Sequence, residues 1–99
     1  MKEIRVDQIH LDGDHKTGLD LGLNNPAQVI LYNDDHNTSE HIVRCLILIF
    51  GHDVGMAQHL MMEAHELGKT IAQVEPYGKA VYHAALLQLA NVKTEVEKI

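Results

Sequence analysis

The chain has no Trp, a single Phe, a single Cys and two Pro in 99 residues. With only Phe50 and three Tyr as aromatics, its core has to be aliphatic, with Met as adaptable filler. One cysteine excludes an internal disulfide and fits a reducing compartment. Cys45 sits inside the apolar stretch RCLILIF with no partner at nucleophile spacing, so it reads as a buried, inert thiol. Basic residues are scarce as well. The formal net charge of −6 argues against nucleic acid, whose binders need a basic face, and favours cationic partners. Long apolar runs are missing: the longest, Cys45 to Phe50, is far below the ~20 residues of a membrane span. The first ten residues lack the apolar segment of a signal peptide. The expected location is the cytoplasm, or the stroma of an organelle after removal of a transit peptide.

The 45% apolar content suits one small folded domain. Residues 1–26 differ from the rest, being rich in Asp and Gly and ending at the turn signal Asn24-Asn25-Pro26. They read as a flexible arm, with Ile4, Val6, Ile9 and Leu11 as weak strand formers. DGDHKTG lacks the ligands and closing Glu of a calcium loop. Residues 27–99 form the expected core domain. AQVILY (27–32) is a short β-branched strand between turn residues. Asn37 and Glu40 form a capping box opening a helix whose apolar face is Ile42, Val43, Leu46, Ile47, Ile49 and Phe50, and Gly51 stops it. Asp53 caps a second helix over 54–67, with Val54, Ala57, Leu60, Met61, Ala64 and Leu67 inward and Gly68 as its stop. KTIAQVE (69–75) reads as a half-buried strand with Ile71 and Val74 inward. Pro76 suits the first turn of a third helix, with Val81, Ala84, Ala85, Leu87, Leu89 and Ala90 inward. Val92, Thr94 and Val96 share one face of a last strand. The order β-α-α-β-α-β implies an α+β, two-layer domain: a three-stranded antiparallel sheet with three helices packed on it.

Several chemistries can be weighed against these residues. The eight His do not stand at zinc-ligand spacing: His-Glu-x-x-His is absent, and His59 and His65 point to different sides of their helix. No metal and no cofactor is expected. Asp34-Asp35 is not a hydrolytic pair, because neither an oxyanion hole nor a nucleophile accompanies it; the chain is not read as an enzyme. Charge is more informative. Between residues 33 and 66 stand Asp34, Asp35, Glu40, Asp53, Glu63 and Glu66 against Arg44 alone. His65 lies one turn past Met61, at the edge of an apolar helix face. An Asn, two Asp and a His around an apolar hole suit an ammonium beside a hydrophobic group. A neutral imidazole accepts from that ammonium, so binding is expected to weaken as pH falls through the imidazole range.

These residues carry a resemblance. VILYNDD, NTSE and MMEAHELGK are similar, in order and spacing, to the V-I-L-x-N-D-D, T-P-x-E and M-x-x-x-H-x-x-G-K segments of the ClpS family of adaptor proteins. The likeness runs from about Gln28 to Val74. It implies a compact α+β core with a flexible N-terminal arm. It also implies binding of proteins whose first residue is bulky and hydrophobic, and their delivery to a Clp-type AAA+ unfoldase and its protease. By resemblance, Asn33, Asp34, Asp35 and His65 hold the α-amino group, and Asn37, Ser39, Ile42, Met61, Ala64 and Val92 line the side-chain pocket. Ser39 stands where the family carries a gating Met, and Ala64 where Val is common, which implies a widened pocket. Gly78, Lys79 and His83 occupy the region that docks the unfoldase. Gly78 and His83 depart from the usual charged pattern there. A second reading is therefore a ClpS-like regulatory module that docks protein partners without delivering N-terminal substrates.

Overall fold

The computed structural model describes residues 21–99, as strands β1 (Pro26–Tyr32), β2 (Lys69–Pro76) and β3 (Thr94–Lys98) and helices α1 (Ser39–Phe50), α2 (Val54–Leu67) and α3 (Tyr77–Leu89). The chain order is β-α-α-β-α-β. The sheet order is β2-β1-β3, antiparallel throughout. The apolar β1 is central and pairs along both edges, with β2 on one side and β3 on the other. Ala27, Val29 and Leu31 point into the helical layer and are buried; they meet Leu46 of α1, Ala57 and Leu60 of α2, and Ala84 and Leu87 of α3. Small Ala residues at 57, 64, 80 and 84 let the helices approach the sheet closely, which offsets the lack of large aromatics. No helix among the described residues is long and apolar enough to cross a membrane.

Two stop signals and one start signal act as expected. Gly51 and Gly68 take left-handed conformations, φ 74° and 92°, and their N–H groups close onto the Ile47 and Ala64 carbonyls. Asp53 caps α2 by accepting from the Met56 N–H at 2.7 Å. Other expectations are corrected. The cap of α1 is Thr38, whose hydroxyl accepts from the His41 N–H, and not Asn37. The Asn37 amide is drawn away by tertiary contacts. Pro76 is itself the cap residue before α3. Val54, Leu67 and Leu89 are exposed, because the buried stripes run through Ala57, Leu60 and Ala64 in α2 and through Ala80, Ala84 and Leu87 in α3.

The phase of β2 is also reversed from expectation. Thr70, Ala72 and Glu75 face the helices, whereas Ile71 and Val74 are exposed. Val29 pairs with Gln73 but Ile30 pairs with Ile71, so Ala72 is an extra, bulged residue. The bulge makes the next inward step three residues long, and the result is an inward carboxylate at Glu75.

The expected arm boundary shifts too. Pro26 belongs to β1, and residues just before it are fastened to α3. Tyr77 N–H donates to the Asn25 carbonyl at 2.8 Å, and Gly78 N–H donates to the Leu23 carbonyl at 2.9 Å. These bonds satisfy two donors at a helix start that has no side-chain cap. The remainder of the expected arm, with Ile4, Val6, Ile9, Leu11 and the DGDHKTG stretch, lies outside the described residues.

Cys45 is buried against the core. Burial pushes its thiol up, with Arg44 opposing weakly. The His41 Nε2 lies 3.7 Å from Sγ but 2.9 Å from the Ala90 carbonyl, so Nε2 carries the proton and cannot deprotonate the thiol. Native chain at pH 7.5 is therefore expected to react with iodoacetamide at least tenfold more slowly than chain in 6 M guanidinium, as followed by mass spectrometry. Equal rates would contradict an inert thiol.

Candidate functional site

A cleft of about 200 Å³ opens between the end of β1, the start of α1 and the last turns of α2. Three backbone features build it. The Tyr32 N–H donates to the Lys93 carbonyl at 3.0 Å, and the next N–H, of Asn33, donates to the Gly68 carbonyl at 2.9 Å. The second bond ties the strand end directly to the C-cap of α2. Because Gly68 also receives the Ala64 turn, Asn33 is held near the helix turn that carries Ala64 and His65. The third feature is the loop over 34–38. Asp34 accepts from the His36 N–H at 2.8 Å and from the Asn37 amide at 3.1 Å. Asn37 donates again, to the Asn91 carbonyl at 2.8 Å, which pins the loop to the turn before β3.

This arrangement divides the acidic pair. Both carboxylate oxygens of Asp34 serve the loop. The side chains of Asn33, Asp35 and His65 make no hydrogen bond to other described residues, yet all three line the cleft. Acceptors gathered at one rim without donors among their neighbours suit a ligand that brings its own donors. The floor is apolar: Leu31, Ile42 and Ala64 are buried, and Met61 is half-buried. The Tyr32 phenol is pushed above its ordinary range, first by its hydrogen bond to Glu95, then by burial and the negative charge of Glu95 and Glu97. The ring of Tyr32 lines the cleft and carries Lys93 at 5.4 Å from its centroid.

Of the residues singled out in the sequence, Asn33, Asp34, Asp35, Asn37, Ser39, Ile42, Met61, Ala64 and His65 come together at this cleft. Val92 does not. It is 2% exposed, packed in the core, and lines no part of the cleft. Asn91 takes φ 64°, and the Val92 N–H bonds back to the Leu87 carbonyl, which turns Val92 inward beneath α3. Leu31 and Tyr32 were missed. The signal was available, since they immediately precede Asn33 on the strand that delivers it. Among the described residues no group of His, Cys, Asp and Glu is placed to hold a metal ion.

The expected docking residues lie at the start of α3. Gly78 is overlain by Leu23, with the position of a Cβ 3.5 Å from that side chain. His83 is committed to Glu75, Nδ1 to Oε2 2.7 Å. Lys79 is exposed and has no partner among the described residues.

The chain is thus a two-layer α+β domain whose cleft joins an apolar floor to a rim of unpartnered acceptors. The comparisons with known proteins place it more closely. The family model described as "ATP-dependent Clp protease adaptor protein ClpS" matches residues 23–95. An ATP-dependent Clp protease adapter protein ClpS from Desulforapulum autotrophicum is 34% identical over 77 residues, covering 72% of this chain and 74% of the relative. Another ClpS, from Acetivibrio thermocellus, is 32% identical over 80 residues, covering 81% of each. Among solved structures, ClpS2 of Agrobacterium tumefaciens bound to L-phenylalaninamide superposes with TM-score 0.67 at 22% identity, covering 77% of this chain and 99% of that one. The chain belongs to the ClpS family of Clp protease adaptors, a family of adaptors rather than catalysts.

Proposed function

We propose that the cleft binds the free N-terminus of a substrate protein whose first residue is bulky and hydrophobic, and that the adaptor presents this substrate to a Clp-type AAA+ unfoldase. The observation that carries this reading is the rim of Asn33, Asp35 and His65, unpartnered above an apolar floor of Leu31, Ile42, Met61 and Ala64. An α-ammonium brings three donors and a positive charge, which match acceptors that have no internal partner. Asp34 positions the loop and does not touch the amine. The floor takes the first side chain. A dry apolar cavity of ~150 Å³ already admits benzene, so the cleft has room for an aromatic ring. The Agrobacterium relative is described with L-phenylalaninamide, a free amine on an aromatic residue with its carboxyl masked, as at a protein N-terminus.

The test is fluorescence anisotropy with short peptides that differ only at the first position: Leu, Phe, Tyr, Trp, Ile, Val, Gly, and acetylated Leu. Bulky free termini are expected to bind, and Gly and acetylated Leu are not. Loss of Leu binding in His65→Ala is a further expected result. Binding of acetylated Leu as tight as free Leu would end the reading.

Pocket width follows from Ser39. It is the first residue of α1, exposed at the cleft mouth, where a longer side chain would project over the opening. The wild type is expected to accept Ile, Val and Trp termini within about fivefold of Leu. Ser39→Met is expected to weaken Ile and Val by at least about tenfold and to leave Leu unchanged. A flat profile in both forms would separate Ser39 from selectivity.

A second reading, a module that docks protein partners without delivery, is favoured by one observation. The start of α3 offers Lys79 as its free charge, while Gly78 lies under Leu23 and His83 serves Glu75. Degradation of an N-terminal Leu reporter by a reconstituted unfoldase and protease, stimulated by this chain, would decide for delivery.

A further inference from the structure

The outer side of α1 carries a second cavity, a groove of about 390 Å³ between α1 and α2. Val43, Ile47, Leu48 and Met61 make it apolar, and Glu40 and Arg44 stand along its edge. Ser39 and Met61 line both this groove and the amine cleft, so the two are continuous across a saddle. The core does not need these side chains inward: Val43 and Ile47 are only partly buried, and Leu48 is 76% exposed.

We propose that this groove is a subsite for the third residue of the substrate and takes an apolar side chain there. The proposal rests on the cleft holding the substrate's N-terminus. An extended peptide places its first and third side chains on one face, ~7 Å apart, and turns the second away. α1 presents Ser39, Val43 and Ile47 at steps of four residues, each ~6 Å along the axis. A peptide leaving the cleft along α1, with its first side chain inside Ser39, therefore brings its third beside Val43 and Met61. The hydroxymethyl of Ser39 keeps the saddle low enough for the backbone to cross. The exposed Glu40 carboxylate accepts from peptide N–H groups there, and the Arg44 guanidinium donates to peptide carbonyls.

The experiment uses the full chain and C-terminally labelled peptides with Leu first, Gly second, and Gly, Leu, Phe or Asp third. Leu or Phe at the third position is expected to bind five- to tenfold more tightly than Gly, and Asp to bring no gain. Val43→Asn and Leu48→Glu are expected to erase that preference while leaving the third-Gly peptide unchanged. The exposure of Leu48 makes its variant a safe companion should Val43→Asn fold poorly. Equal affinity for Gly and Leu at the third position overturns the subsite and leaves the amine reading standing. Failure of every free N-terminus to bind removes the amine reading, and the subsite with it. If Leu48→Glu instead changes the sedimentation of the chain and leaves peptide preference intact, the groove is a contact between copies and the proposal is overturned. If Val43→Asn tightens all peptides alike, the chain's own N-terminal residues cover the groove, which also overturns it.

Discussion

Replacing Asp35 by Ala is expected to weaken binding of a free N-terminal Leu peptide by about 10- to 100-fold without lowering the stability of the chain. A hydrogen bond to a charged group contributes ~1.5–3 kcal/mol, and ~1.4 kcal/mol is a factor of ten. Asp35 is exposed and makes no hydrogen bond to another described residue, so its removal leaves nothing unsatisfied in the folded chain. Asp34→Ala should behave differently. It releases the His36 N–H and one donor contact of Asn37, so the loop over 34–38 loses two of its fastenings. The expected result is weaker binding together with a measurable fall in melting temperature. Anisotropy paired with thermal denaturation separates the two. If Asp34→Ala kept full stability and lost all binding while Asp35→Ala bound normally, the assignment of the two carboxylates would be reversed.

That division was not visible in the sequence. Adjacent carboxylates look alike until the Asn37 amide and the His36 N–H are seen to face one of them. The clustering itself was visible, for a physical reason: seven of the cleft residues fall in the continuous stretch Leu31 to Ser39, and Met61, Ala64 and His65 follow a single helix turn. Helix ends were legible where one residue decides them, as at Gly51, Asp53 and Gly68. They were not where two cap-forming residues adjoin. Thr38 caps α1 because the carbonyl of Asn91, far away in sequence, claims Asn37. Val92 was misplaced for a similar reason, since a left-handed Asn91 decides which way it points. Val43 and Ile47 obey the helical period but remain at a groove, because the helix opposite does not reach them.

The largest expected effect on stability is at His83, and it traces to the bulge in β2. Without the extra residue at Ala72, strand alternation would place Val74 toward the helices. With it, Glu75 faces inward instead, its side chain 6% exposed. A buried carboxylate needs a partner, and His83 of α3 supplies one at 2.7 Å while its ring meets the edge of Phe50 at 5.0 Å between centroids. The bulge itself is held by His52, whose Nε2 donates to the Ala72 carbonyl at 2.9 Å and whose ring stacks on Phe50. His83→Ala strips the partner and leaves the carboxylate buried, a change that costs about 3 kcal/mol or somewhat more. For a domain of this size that lowers the melting temperature by more than about 10 °C. The double variant His83→Leu with Glu75→Leu is expected to recover most of the loss, because a matched apolar pair needs no compensating charge. Urea unfolding at pH 7 checks both. A loss under about 1 kcal/mol in His83→Ala would mean that Glu75 reaches water once the ring is gone. The bulge would then place a carboxylate near the surface of the layer, not inside it.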